Sequence, residues 1–233
     1  MSYTNKLLVL IFVTLLLSCY GFCEEKYQWA RVKFLGFRAQ DKGGHDAWDI
    51  KMSNDVEFLD FLEKNTTIKP EKKVNVATLD KLEEIVKYPV LFMTEEVEIT
   101  FKDIEIKNMR EYCKRGGVIW ADDCVYESKG EYFYKSIVKT IENLVFPGKK
   151  MQRIPLDDDL FHCHFDMPKG LPYNQGSPEG ALGLYDDKGR LMIIITPSDI
   201  HCGWDSEAKH FGEKNVTDSY RMGTNIVIYA LTH

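Results

Sequence analysis

The chain has 233 residues, 44% hydrophobic and 28% charged, with 30 basic against 36 acidic side chains and a formal net charge of −6. That balance contains no polybasic footprint, so nucleic acid is not an expected partner. Six cysteines in a chain of this length are too few for a disulfide scaffold, and none has the C-x-x-C spacing of a zinc knuckle or a redox motif.

Met1–Lys6 is polar with one positive charge, and Leu7–Leu17 is apolar except for Thr14. About eleven apolar residues are too few to span a bilayer comfortably, and small residues follow, so residues 1–23 read as an export signal. Leu16-Leu17-Ser18-Cys19 resembles a bacterial lipobox, which would lipidate Cys19; Gly21-Phe22-Cys23 before Glu24 offers an ordinary cleavage site instead. The expected product is periplasmic or a membrane-anchored lipoprotein, held to the membrane by acyl chains alone. Losing Lys6 with the signal moves the net charge to −7 and leaves residues 24–233 as a single α/β domain.

Trp29–Leu35 alternates, with Ala30, Val32 and Phe34 against Arg31 and Lys33, and predicts a first strand. Gly36–Gly44 is a polar loop. Val56, Leu59, Phe61 and Leu62 fall at helical spacing, and Pro70 closes that region. Val74–Ala77 is a short strand and Leu79–Val86 one or two helical turns. Tyr88–Thr94 is a continuous apolar run after a proline, as expected for a central parallel strand. A helix then opens at Thr100 and Asp103, carries Lys114 and Arg115 in its last turn, and stops at Gly116-Gly117. GGVIWADDC follows, a buried-type strand ending in two carboxylates and a thiol. Phe133, Ile137, Ile141 and Leu144 mark another helix, closed by Pro147-Gly148. The last third differs: Ala181–Tyr185 and Leu191–Thr196 form a hairpin, and a final helix runs from about 217 to 231. The segments 157–180 and 197–216 lack periodicity, as functional loops often do. Strands alternating with helices predict an α/β three-layer sandwich with a mainly parallel central sheet.

Ligands bind such sheets beyond the carboxyl ends of the strands, which is where Asp122, Asp123 and Cys124 fall. The plainer use of either aspartate is as a helix cap or an Asx-turn. Two further groups lie in the long loops: Asp157-Asp158-Asp159 with His162, Cys163, His164 and Asp166, then Asp199, His201, Cys202 and Asp205. Carboxylate, imidazole and thiolate are ligands of zinc and related ions, so Asp122, Asp123, His162 and His201 form a candidate metal set. Cys124 is also a candidate nucleophile, with His201 as base and Asp199 orienting it. Against this, no glycines flank Cys124 to form an elbow, and its aspartate neighbours would raise the thiol's pKa.

Trp29–Lys33 with Trp48-Asp49, the runs YPVLFMT and GGVIWADDC, Phe146-Pro147, Ile154–Asp157, Leu160–His162, Gly189–Leu191, Ser198-Asp199 and Gly223–Thr232 together resemble domain-of-unknown-function family 4159. The resemblance covers nearly all of residues 24–233. It implies a flavodoxin-like fold related to class I glutamine amidotransferases and trehalose-utilisation-like proteins, and it implies no reaction. It also sets Arg31 and Trp48 beside Asp122 and Asp123 as ligand-binding candidates. Asp158-Asp159 stands where the family carries His-Pro. The expected function is therefore a cell-envelope module binding a small molecule or an envelope protein, with a hydrolase, metal-assisted or thiol-based through Cys124, as the alternative.

Overall fold

The computed structural model describes residues 26–37, 44–125, 131–205, 207 and 209–233. The expected export signal, with Cys19 and Cys23, lies outside them. No helix among the described residues is long and apolar enough to cross a membrane.

The centre is a largely parallel sheet. Strands β1 (Tyr27–Phe37), β3 (Pro70–Thr78), β4 (Val90–Glu95), β6 (Val118–Asp123) and β9 (Leu191–Thr196) lie parallel in the order β3-β1-β4-β6-β9. Beyond β9 the sheet continues antiparallel through β8 (Leu182–Tyr185), the expected hairpin partner, and β7 (Gln152–Arg153). β1 outruns its predicted bounds because its far end changes neighbours. Phe34–Phe37 leave the parallel core and pair antiparallel with β2 (His45–Ala47) and β5 (Glu98–Thr100). β4, β6 and β9 are buried at every position, which explains their unbroken apolar sequence.

Helices cover both faces. On one face α1 (Met52–Asn65) and the last helix pack around Trp29, Phe58, Phe92, Trp120 and Trp204, all fully buried. The indoles of Trp29, Trp120 and Trp204 donate to Asp55, Thr196 Oγ1 and the Ser219 carbonyl, so this aromatic core buries no orphaned N–H at its tryptophans. The opposite face carries α2 (Leu82–Ile85), α3 (Asp103–Lys114) and α4 (Tyr132–Thr140), which runs into a π-helical turn at Ile141–Val145. The start of α3 differs from the expected Thr100–Asp103 box, since Glu105 accepts from the Lys102 amide at 2.7 Å. The last helix, α5, spans Glu213–Thr232, one turn earlier than its apolar periodicity suggests.

The long loops divide between the two edges of the sheet. Residues 174–177 lie along the segment after β9: Asn174 and Gln175 amides donate to the Ser198 carbonyl and Ser177 to Pro197. Gly176 permits this approach, with φ +83° and a hypothetical Cβ 2.5 Å from the Pro197 oxygen. Residues 157–166 go elsewhere. Tyr185 donates to Asp158 at 2.8 Å, and Tyr185 pairs with Leu191, the first residue of β9. That segment therefore docks at the amino end of β9.

Candidate functional site

Adjacent residues of a strand face opposite sides of a sheet, and this separates the two aspartates of GGVIWADDC. Asp122 lies on the side of Trp120. It is fully buried, with Oδ1 accepting from Thr196 Oγ1 and the Ile200 amide and Oδ2 from the His201 amide at 2.9 Å. Burial and the nearby Asp199 push its pKa up, and these three donors pull it back. Its role is to clamp the loop after β9 to the end of β6. Asp123 points to the other face, where Oδ1 accepts from the Tyr134 amide at 2.9 Å and so caps the first turn of α4. Asp123 Oδ2 is buried without a hydrogen-bond partner among the described residues. Burial raises this carboxyl to about 8, against the pull of the Tyr134 amide.

These positions do not bring the expected metal set together. Asp122 has both oxygens engaged by the loop, and Asp123 is on the opposite face. His162 sits in the segment docked at the amino end of β9, its Nδ1 2.6 Å from Asp166 and its Nε2 2.7 Å from the Leu156 carbonyl. His201 is directed away from the thiols. Its Nε2 is 2.6 Å from Arg31 Nη2 and 3.3 Å from Asp55 Oδ2. A guanidinium always donates, so Nε2 accepts and the imidazole proton belongs on Nδ1, which is buried and unpartnered among the described residues.

Arg31 is committed to the protein itself. It is fully buried, and each of its five N–H groups is engaged: by Asp55 through Nε and Nη2, by the Trp48 and Ile50 carbonyls through Nη1, and by His201. No donor is left for a ligand. Trp48 enters this network through its carbonyl, and its side chain is half-buried. The expected triad is rearranged as well, because the carboxylate beside His201 is Asp55, not Asp199.

What the fold does bring together is Cys124, Asp199 and Cys202, with donor atoms all within 4.8 Å of one another. Cys124 follows β6 and is fixed by its amide on the Glu95 carbonyl at 3.2 Å. Its Sγ lies 3.5 Å from Cys202 Sγ, and Glu96 Oε1 is 3.9 Å away. The Cys202 sulfur beside it, then burial, then Asp199, hold the Cys124 thiol well above its ordinary pKa. Asp199 is fully buried and accepts from the amides of Cys202 and Val125, each at 3.3 Å, and from Gln175. Lys51, just ahead of α1, reaches in from an exposed position, its Nζ 3.3 Å from Cys202 Sγ. Burial would lower its pKa; Cys202, Cys124 and Asp199 outweigh that and raise it. Lys51 and Asp199 are also the two non-glycine residues with positive φ among those described, at 46° and 57°. Each such conformation costs about 1–2 kcal/mol in an L-residue, and functional sites are where it is commonly retained.

Sequence reasoning placed Cys124 and Asp199 in one site and named Cys202 only among the polar residues of the last loop; it did not find Lys51 or the structural Asp55. A signal was available for joining Cys202 to Cys124 and for Asp55. Period two puts Cys124 on the face of Trp120 and Asp122, the face that the loop holding Cys202 covers. Helical spacing puts Asp55 in line with buried Leu59 and Leu62.

Residues 35–231 match the model of a family described as "Domain of unknown function (DUF4159)", and the chain belongs to that family. No curated protein matches the chain. Among solved structures, "Cytoplasmic Protein STM3548 from Salmonella typhimurium" is similar over 86% of this chain and 98% of that one, at 10% identity and a TM-score of 0.37.

Proposed function

We propose that this DUF4159 member is an exported cell-envelope protein that binds a ligand at the carboxyl edge of its sheet, through Cys124, Cys202, Asp199 and Lys51. One observation carries the reading. Four side chains able to bind or react converge from three separate segments, two of them on left-handed backbone, at the edge where open α/β sheets take ligands. The strand order supports a finer placement: the five parallel strands, numbered among themselves, run 2-1-3-4-5, the flavodoxin-type order. Export rests on the charged start, apolar run and small residues of 1–23, and lipid anchoring on Cys19.

A hydrolase is the second reading, favoured by the same cluster if it holds a metal. Its thiol-based form is disfavoured: the neighbours of Cys124 keep it protonated, and the His201 imidazole is occupied by Arg31 and Asp55. The test is thiol access in the folded, reduced protein. Cys202 is 2% exposed beneath the exposed Lys51, and Cys113 is 0% exposed beneath Met192; iodoacetamide, with the modified peptides identified by mass spectrometry, is expected to reach Cys202 first, through displacement of the Lys51 side chain. Lys51→Ala should speed that reaction. Protection of Cys202 equal to that of Cys113 overturns the reading of an open binding edge.

A further inference from the structure

We infer that Cys124, Cys202 and Asp199 form a binding site for a soft divalent cation of the zinc class. This inference rests on the binding-edge reading above and names its ligand. The three side chains supply two sulfurs and a carboxylate oxygen, a donor set suited to zinc-class ions in preference to calcium or magnesium. A tetrahedral ion with metal–sulfur bonds of about 2.3 Å holds its sulfurs about 3.8 Å apart. The two sulfurs here stand 3.5 Å apart, and the oxygen of Asp199 falls within 4.8 Å of both. Only small side-chain shifts separate this arrangement from a bound one.

The surroundings hold the donors in place. The Asp199 backbone is fixed by Asn174, which donates to its carbonyl at 2.9 Å, and its carboxylate is aimed by two amides and Gln175. Cys202 lies in a short 3-10 turn, His201–Trp204, pinned by Asp122 through the His201 amide and by Asn54 through the His201 carbonyl. Gly203 lets that turn press against Ser219 and Asn174, where a Cβ would clash. Carboxylate-ligating residues in metal sites are commonly oriented by such outer hydrogen bonds.

Lys51 supplies an independent indication. With no ion bound, its ammonium already stands 3.3 Å from Cys202 Sγ, so a positive charge occupies the neighbourhood that the ion would take. Its stem is exposed, which leaves it free to swing outward. Three protein ligands leave one position of a tetrahedral ion for water or a substrate, the pattern of zinc sites that do chemistry. On binding, each thiol releases its proton to solvent and the ion gains two thiolate bonds.

The test is cobalt titration of the reduced, chelator-treated full chain, followed by displacement with zinc against a chromophoric chelator. One cobalt per chain with a thiolate-to-metal charge-transfer band is expected, and zinc should displace it. Cys202→Ser or Cys124→Ser should weaken binding by about a hundredfold or more and about halve the band of any complex that still forms, since one thiolate remains. Asp199→Asn should weaken binding by about tenfold. Lys51→Met should tighten it severalfold by removing the competing charge, a gain that partial unfolding cannot produce. Circular dichroism on each serine variant confirms that the fold is retained.

Several results overturn the site: absence of the band, binding unaffected by both serine variants, or a Cys124–Cys202 disulfide in protein isolated with zinc present and without oxidant. If the band is absent while iodoacetamide still reaches Cys202, the metal inference falls and the binding edge stands. If Cys202 is also inaccessible, both fall.

Discussion

Two polar clusters sit side by side at the carboxyl edge, and they are built on opposite principles. One is Arg31, Asp55 and His201, fully buried, with every guanidinium hydrogen engaged and both Asp55 oxygens paired. The other is Cys124, Cys202 and Asp199, also buried, with solvent-exposed Lys51 at its rim, longer contacts and two residues on left-handed backbone. They are joined through the chain, since His201 precedes Cys202 and Lys51 lies four residues before Asp55. The first network engages every guanidinium hydrogen and both Asp55 oxygens, leaves the His201 Nδ1 hydrogen alone without a partner among the described residues, and fixes geometry. Two thiols and a carboxylate beside an exposed ammonium, on strained backbone, instead offer groups to a ligand. The first holds α1, β1 and the post-β9 loop at fixed positions, and the second exploits those positions.

The largest expected effect tests that division directly. Asp55→Ala strands Arg31 beside a histidine in the core, and breaking a buried pair in this way costs about 3–5 kcal/mol. Lys51→Gly removes a side chain from left-handed backbone that glycine tolerates, so it should leave stability within about 1 kcal/mol of the parent or raise it. Urea unfolding of both variants checks the pair. Comparable losses would mean that Lys51 belongs to the structural network and that the division fails.

The Asp55 environment also sets a pH dependence. Burial opposes its charge, but His201 and Arg31 overcome that and hold its carboxyl well below the ordinary 3.8. Burial and Arg31 lower His201 below 6.5. Both folded-state values are depressed, so in each window the unfolded chain binds more protons and stability falls with falling pH. The histidine contribution fades as pH drops below 6.5, and the carboxylate contribution follows below 3.8. Asp123, whose raised carboxyl acts in the opposite sense over the same window, masks this in the parent, so the reading is the difference between the parent and His201→Asn; a difference flat from pH 7 to pH 5 would exclude a neutral buried His201.

Much of the frame was legible because the sheet imposes simple periods. The unbroken apolar run at Tyr88–Thr94 read as a central strand, and the turn at Asp186–Gly189 joined β8 to β9 as expected; the hairpin reading of Leu191–Thr196 did not extend to its parallel pairing with β6. The clusters were less legible for a physical reason. Arg31 and Asp55 look solvent-facing on charge alone, and only their mutual neutralisation makes burial tolerable. Lys51 carries no mark in sequence of its left-handed backbone, since glycine is the usual signal. His162 and His164 attracted attention by their chemistry, while the path of their segment was decided by Asp158 and Tyr185 at the other edge. The pairing of Cys124 with Cys202 spans 78 residues, and no local pattern encodes it.

A smaller contrast lies inside GGVIWADDC itself. Asp122→Asn should cost about 1–3 kcal/mol, because an amide nitrogen would face one of three hydrogen-bond donors and leave it unsatisfied. Asp123→Asn should cost little, since its amide oxygen can still accept from the Tyr134 amide. The sign of its pH dependence is the sharper reading. The folded Asp123 carboxyl titrates at about 8, against 3.8 when unfolded. Between those values the native state keeps a proton that the unfolded chain has released, so the parent loses stability from this residue as pH rises, and the loss is complete by about pH 8. Asparagine has no proton to lose. Denaturant unfolding at pH 5 and pH 8.5 should therefore show the variant gaining on the parent at the higher pH. Parallel curves would mean that Asp123 is ionised in the fold, with its second oxygen in contact with water or a cation.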